Sequence, residues 1–152
     1  MMDINRGFQI DNPEAFIPWG ITEQQLITIL GKKLRLVTDG YYSLTCESLG
    51  GLKHELGFHF EPRRMGILKL LEFFRRSYPD LHNSFNEFQT FFVREFGAPT
   101  TSKPGSEGVP DHKWLSKNVI IRHYIVDRFG PEEHLTIEKS NLKFRLASLL
   151  SR

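Results

Sequence analysis

The chain has 152 residues, with 20 Lys and Arg against 18 Asp and Glu, and one cysteine, Cys46. That length suits a single domain over 1–152, able to bury roughly 70% of the surface its unfolded form exposes, and the near-balance of charge leaves no electrostatic footprint for nucleic acid. One cysteine forms no internal disulfide, and the sequence shows neither a charged-then-apolar leader nor an apolar run of about 18 residues, so the expectation is a reducing, cytoplasmic setting without a membrane partner.

Met1 to Pro18 carries Asn12-Pro13 and Ile17-Pro18, and because a residue before proline avoids the helical region, this lead-in is expected to be extended or irregular. Thr22-Glu23-Gln24-Gln25 then opens a helix: a hydroxyl stands three positions before Gln, as a capping box requires, and Gly31 stands where the helix should stop. Leu26, Ile29 and Leu30 give it an apolar stripe. Two β-rich runs, 34–37 and 41–46, flank Thr38-Asp39-Gly40, whose Asp-Gly pair signals a hairpin. From 52 to 61, Leu52, His54, Leu56, Phe58 and Phe60 alternate with Lys53, Glu55, Gly57, His59 and Glu61, which predicts a strand with one buried and one wet face. Residues 67–76 fit either helical or strand spacing. The compact turn Pro62-Arg63-Arg64-Met65-Gly66 just before them favours a hairpin partner that completes a meander.

Tyr78-Pro79-Asp80 breaks the chain, and Ser84-Phe85-Asn86-Glu87 repeats the capping pattern ahead of a helix ending at Phe96-Gly97. Phe85, Phe88, Phe92 and Phe96 lie on one stripe with Phe91 beside it, a core spacing. Ala98 to Pro110, rich in Pro, Gly, Ser and Thr, reads as a mobile loop. Trp114-Leu115, 119–126 and 134–139 are candidate strands, and Leu142, Leu146, Leu149 and Leu150 mark a short C-terminal helix over about 141–151, docked on the domain and not anchored in a membrane. The expected fold is α+β, built of two α-then-β-meander halves, about 16–76 and 81–140, with antiparallel strands packed on the helices.

Catalytic patterns are missing: the sequence contains no Gly-x-Gly-x-x-Gly, no phosphate loop ending Gly-Lys-Ser/Thr, no His-Glu-x-x-His and no Gly-x-Ser-x-Gly. Cys46 lies inside a predicted strand beside Leu44 and reads as an inert thiol. A nuclease reading starting at Asp111 lacks its acid-x-Lys element, since Glu138 and Lys139 are adjacent. His112, His123 and His134 recur at intervals of eleven, which invites a metal. A turn near Lys117, however, sets residue 112 against about 122, so His112 and His123 should face opposite ways, and His134 should fall on the order of 10 Å along the strand from His123. His54 and His59 also point to opposite faces. Asp111 paired with His123 is the remaining dyad, more simply read as a satisfied structural histidine. No residue is assigned a catalytic, cofactor-binding or metal-binding role.

The order helix, Phe96-Gly97-Ala98-Pro99, loose loop, isolated Trp114, strand and hairpin resembles small bacterial α+β proteins found among the immunity proteins of polymorphic toxin systems. The resemblance covers residues 84–139 and, as a fainter echo around Gly31, the first half. It implies a non-enzymatic protein, monomer or homodimer, that binds and blocks a cognate toxin. An effector-secretion chaperone is the alternative of the same general kind. A small-ligand binder or enzyme would need a pocket between sheet and helices, with polar groups such as His54 or Tyr42 among the phenylalanines. For a protein partner, the candidate anchors outside the inferred core are Tyr41 and Tyr42 at the Asp-Gly hairpin, Arg63 and Arg64 in the next turn, and Trp114 after the loop, because Tyr, Trp and Arg combine contact area with a polar handle.

Overall fold

In a computed structural model, which describes residues 2–63, 65–77 and 80–140, the chain is dominated by one antiparallel sheet. Its strands are β1 (Gly7–Asn12), β2 (Ala15–Pro18), β3 (Arg35–Thr38), β4 (Tyr41–Ser48), β5 (Leu52–Glu61), β6 (Ile67–Phe74), β7 (Thr101–Lys103), β8 (Asp111–Leu115), β9 (Val119–Asp127) and β10 (Pro131–Lys139). The helices are α1 (Glu23–Leu30) and α2 (Leu81–Phe96), with single 3-10 turns at Gly31–Lys33 and Ser106–Gly108. Strand order is β2-β1-β4-β5-β6-β10-β9-β8-β7, with β3 pairing β4 alone.

This order overturns the expected α+β fold of two α-then-β-meander halves. The two meanders do exist, as β4-β5-β6 and β8-β9-β10, but β6 pairs directly with β10 through Leu71↔Ile137 and Phe73↔Leu135, so strands from both halves share one sheet. The apolar side chains on that seam have nowhere dry to go unless the strands meet edge to edge. The lead-in also contributes. Its two X-Pro pairs stand at the ends of the β1–β2 hairpin, where an extended backbone is what proline allows, and β1 continues onto β4 through Ile10↔Ser48. The expected C-terminal helix lies outside the described residues.

Local signals decide the helices. Thr22 and Gln25 form the capping box, with Gln25 N–H donating to Thr22 Oγ1 at 3.2 Å and Thr22 N–H to Gln25 Oε1 at 2.9 Å. The second helix begins earlier than Ser84: Asp80 caps it by accepting from Asn83 N–H at 3.0 Å, and Ser84 is buried inside the helix. Both helices stop at a glycine with positive φ, 61° at Gly31 and 80° at Gly97. Residues 67–74 are a strand, paired on both edges.

One sheet face carries the core. Leu44 on β4, Leu56 and Phe58 on β5, Leu71 and Phe73 on β6, Leu135 and Ile137 on β10, and Ile121 on β9 are buried together, and Phe88 and Phe92 of α2 close over them. Phe92 meets Phe73 edge-on at 5.3 Å and tilts against Trp114 at 5.8 Å. Among the described residues, no helix is long and apolar enough to cross a membrane.

Candidate functional site

The five residues proposed from the sequence as partner anchors divide sharply. Tyr41 is half-exposed on the outer sheet face, where its ring stacks on His59 at 4.2 Å and 10°. His59 in turn meets Glu72 Oε1 at 3.1 Å. That hydrogen bond holds the Glu72 carboxyl below its usual range against the opposing effect of burial. Tyr42, one residue along, points the other way: it is 9% exposed, sits edge-on to Phe60 at 5.8 Å, and donates its hydroxyl to Glu23 Oε1 of α1 at 2.8 Å. It ties α1 to the sheet. Trp114 is 4% exposed, with its indole N–H donating to Gly97 O at 2.9 Å, so it locks the end of α2 onto β8. It lies five strands from β4 in the sheet order, about 24 Å at 4.8 Å per strand. Arg64 lies outside the described residues.

Arg63 is exposed and belongs with Tyr41. The Asp39-Gly40 turn and the 62–66 turn press together: Phe60 N–H donates to Gly40 O at 2.8 Å, and a Cβ built on Gly40 would stand 2.5 Å from Arg63 O. With φ at 73°, this position suits glycine on both counts. Two of the expected anchors thus share one end of the sheet.

That end also gathers residues that the sequence did not single out. Leu36 is 63% exposed and Val37 53%, although both lie within β3, and Met65 at the neighbouring turn is 98% exposed. All four residues of β3 are exposed, and Lys32 and Lys33 immediately before it are exposed as well. The register slips between Leu36 and Thr38, a bulge that leaves Val37 without a partner on β4. The sequence did carry a signal. Leu36 and Val37 are adjacent, so a regular strand would send them to opposite faces, and a strand that follows Gly-Lys-Lys is suited to an edge.

Three buried titratable groups, His54, Cys46 and His123, lie elsewhere, in the core. His54 donates from Nδ1 to Glu55 O at 3.0 Å and accepts at Nε2 from Ser48 Oγ at 2.5 Å, which fixes one neutral tautomer; burial pushes its pKa down to about 4. Burial likewise pushes the Cys46 thiol up to about 12, so it stays protonated at neutral pH. His123 is fully buried between Gln89 Oε1 at 2.7 Å and Glu133 Oε2 at 2.6 Å, and stacks on Phe85 at 3.8 Å. Burial lowers its pKa, opposed by Glu133. Ser84 Oγ donates to Glu133 Oε1 at 2.6 Å. The serine thus points at the carboxylate and not at the imidazole, the reverse of a nucleophile–base pair.

Asp111 does not pair with His123. It accepts from Arg122 Nε at 3.2 Å and Nη2 at 2.7 Å. Nor do His112 and His123 face opposite ways: they are direct partners across β8 and β9, because the connecting turn is centred between Lys117 and Asn118, half a residue beyond Lys117. His134 lies opposite Tyr124, on the other face from His123, which lies opposite Leu135. Among the described residues, no group of three or more His, Cys, Asp or Glu side chains is arranged to hold a metal ion.

No protein-family model matches the chain, and no curated protein matches it. Among solved structures, the chain is similar to the crystal structure of a DUF4309 family protein (YjgB) from Bacillus subtilis, at 11% identity over 78% of each chain and a TM-score of 0.44. A likeness at that level bears on neither function nor mechanism.

Proposed function

We propose that this chain is a non-enzymatic protein-binding module whose contact surface is the end of the sheet formed by β3, the Asp39-Gly40 turn and the turn carrying Arg63. One observation carries the reading: Leu36, Val37 and Met65 are large apolar side chains left in water, on the hairpin and the turn that also carry Tyr41 and Arg63, with Leu36 on the face of its register partner Tyr42. Exposed apolar side chains rimmed by polar groups mark interaction surfaces, and Tyr and Arg are the residues most often found as interface anchors. Each exposed apolar side chain keeps about 1.5–3 kcal/mol of transfer free energy unrealised until something covers it.

The inhibitor form of this reading, in which the partner is a cognate toxin and binding covers its active surface, is a narrower proposal that rests on the resemblance noted from the sequence. A cytoplasmic location belongs with it. The test is a titration of the full chain against a co-purifying protein, with Tyr41→Ala, Arg63→Ala and Leu36→Ser as variants. Each should weaken binding, the strongest by more than about 2 kcal/mol, with the melting temperature nearly unchanged. Parental affinity in all three would place the interface elsewhere.

A further inference from the structure

If the exposed end of the sheet binds a protein, the side chains there also specify the chemistry of that partner. Resting on the binding role proposed above, we infer that β3 receives an extended, acidic segment of the partner protein, whose apolar side chains cover Leu36 and Val37 and whose carboxylates meet Lys32 and Lys33.

Four observations converge. Among the described residues β3 pairs with β4 only, while further along the same edge of β4 the partner strand is β1, so no described strand pairs with the far edge of β3. Edge strands are usually blunted by charge at the positions that would be covered. Here those positions are Leu36 and Val37, and the bulge puts two neighbouring apolar side chains in water together. The charges stand to one side: Lys32 and Lys33 are exposed and make no ion pair among the described residues, whereas Arg35 is held on the outer face by Ser43 at 2.8 Å and Glu55 at 3.6 Å. With Arg35 paired to Glu55, residues 32–39 leave Lys32 and Lys33 against Asp39, for a local charge of 2 − 1 = +1.

An apolar pair beside two uncommitted ammonium groups is complementary to a strand of alternating acidic and apolar residues. A basic segment would meet repulsion, and a neutral one would leave both lysines without a counter-charge. The bulge at Val37 also limits how much backbone pairing a further strand can gain, so side chains supply most of the selectivity.

The test uses the full chain, isotope-labelled, with two synthetic ten-residue peptides as probes: one alternating Glu or Asp with Leu and Val, the other alternating Lys with the same apolar residues. At low salt the acidic peptide should shift the amide resonances of residues 32–38 and slow their hydrogen exchange, and bind at least about tenfold tighter than the basic one. Lys32→Glu with Lys33→Glu should reverse that preference. Leu36→Ser with Val37→Ser should weaken the acidic peptide about tenfold. All four substitutions are at exposed positions, and an unchanged melting temperature shows that the fold is retained.

Equal binding of the two peptides, or shifts confined to other strands, overturns the inference. So does concentration-dependent protection of β3 without peptide, since the occupant would then be a second copy of the chain. If the peptides fail while a protein partner still depends on Tyr41 and Arg63, the acidic-segment inference falls and the binding role stands. If no variant at this end of the sheet affects a bound partner, both fall.

Discussion

The ring of Tyr41 lies flat on the imidazole of His59, its direct register partner on β5, and covers the backbone of Gly57. A Cβ built at Gly57 would stand 2.8 Å from Tyr41 Cε1 and 3.5 Å from Glu72 Oε1, so the glycine leaves room for the stack. Gly57→Ala should therefore tilt Tyr41 off His59 and cost about 1–3 kcal/mol as an overpacked site. Urea unfolding gives the cost, and the ring-current shift on the His59 protons reports the stack. An unchanged His59 shift would mean that the ring can move aside without leaving the imidazole.

Acid sensitivity follows from His54. In the folded chain it is neutral, with its pKa pushed down to about 4 by burial, while in the unfolded chain it protonates near 6.5. Between those values the unfolded state holds more protons, so stability falls as pH drops from about 6.5 to about 4 and levels off below. For this 4%-exposed group the loss is about 3 kcal/mol. Burial shifts His123 in the same direction. Urea midpoints at pH 7, 5.5 and 4, with the His54 ring titrated directly by NMR, check the claim. A His54 pKa above 6 in the folded chain contradicts it.

The phenylalanine stripe of α2 offers a plainer measurement. Phe88 and Phe92 are buried against Phe73, Trp114 and the two buried histidines. Truncating either to alanine should cost about 3–5 kcal/mol. A loss under about 1 kcal/mol would show that the helix does not rest on the sheet through these rings.

What the sequence showed and what it hid divide by distance along the chain. The Thr22–Gln25 capping box, the Asp39-Gly40 hairpin and the alternation through Phe58 and Phe60 are local patterns, and all three stand in the structure. The alternation misleads at two wet-face positions, Glu55, buried beneath Arg35 and Arg76, and Gly57, buried beneath the Tyr41 ring. The β6–β10 seam was not legible, because no local pattern states which of several exposed edges will meet. It joins residues more than 60 positions apart and merges into one sheet the halves that the repeat had been expected to keep separate. Register hid the rest: placing the turn at Lys117 and not between Lys117 and Asn118 sent His112 to the wrong face, since one step along either strand reverses the side chain. At the candidate site, Tyr41 and Arg63 were legible as residue types at turns; the adjacency of Leu36 and Val37 after Gly-Lys-Lys hinted at an edge strand, but their exposure was not legible, because it depends on whether another strand covers them.

That seam gives its own prediction. Residues 1–80 alone would keep β6 but lack β10 and α2, exposing the edge of Leu70–Phe73 and the ring of Phe73 that Phe92 covers. Such a half-chain should be insoluble or molten, with no cooperative unfolding transition. A soluble half that unfolds cooperatively would show that the first meander stands without the seam.

The last prediction concerns Glu133, whose two oxygens are both engaged under α2, one by Ser84 Oγ and the other by His123 Nε2. Replacing it with leucine leaves the fully buried imidazole and the serine hydroxyl without their acceptor in a region that admits no water-facing alternative for His123. Glu133→Leu should therefore cost about 2–6 kcal/mol, for two buried donors left unsatisfied at about 1–3 kcal/mol each. Glu133→Gln, which keeps an acceptor for either donor, should cost less. Ser84→Ala alone removes one hydrogen bond and should cost about 1 kcal/mol. In the Ser84→Ala, Glu133→Leu double variant the losses should not add, because the two residues share one hydrogen bond, and the shortfall measured by urea unfolding is their coupling, about 0.5–3 kcal/mol. Strict additivity would mean that the Ser84–Glu133 contact contributes nothing to holding α2 on the sheet, leaving that task to Phe88 and Phe92.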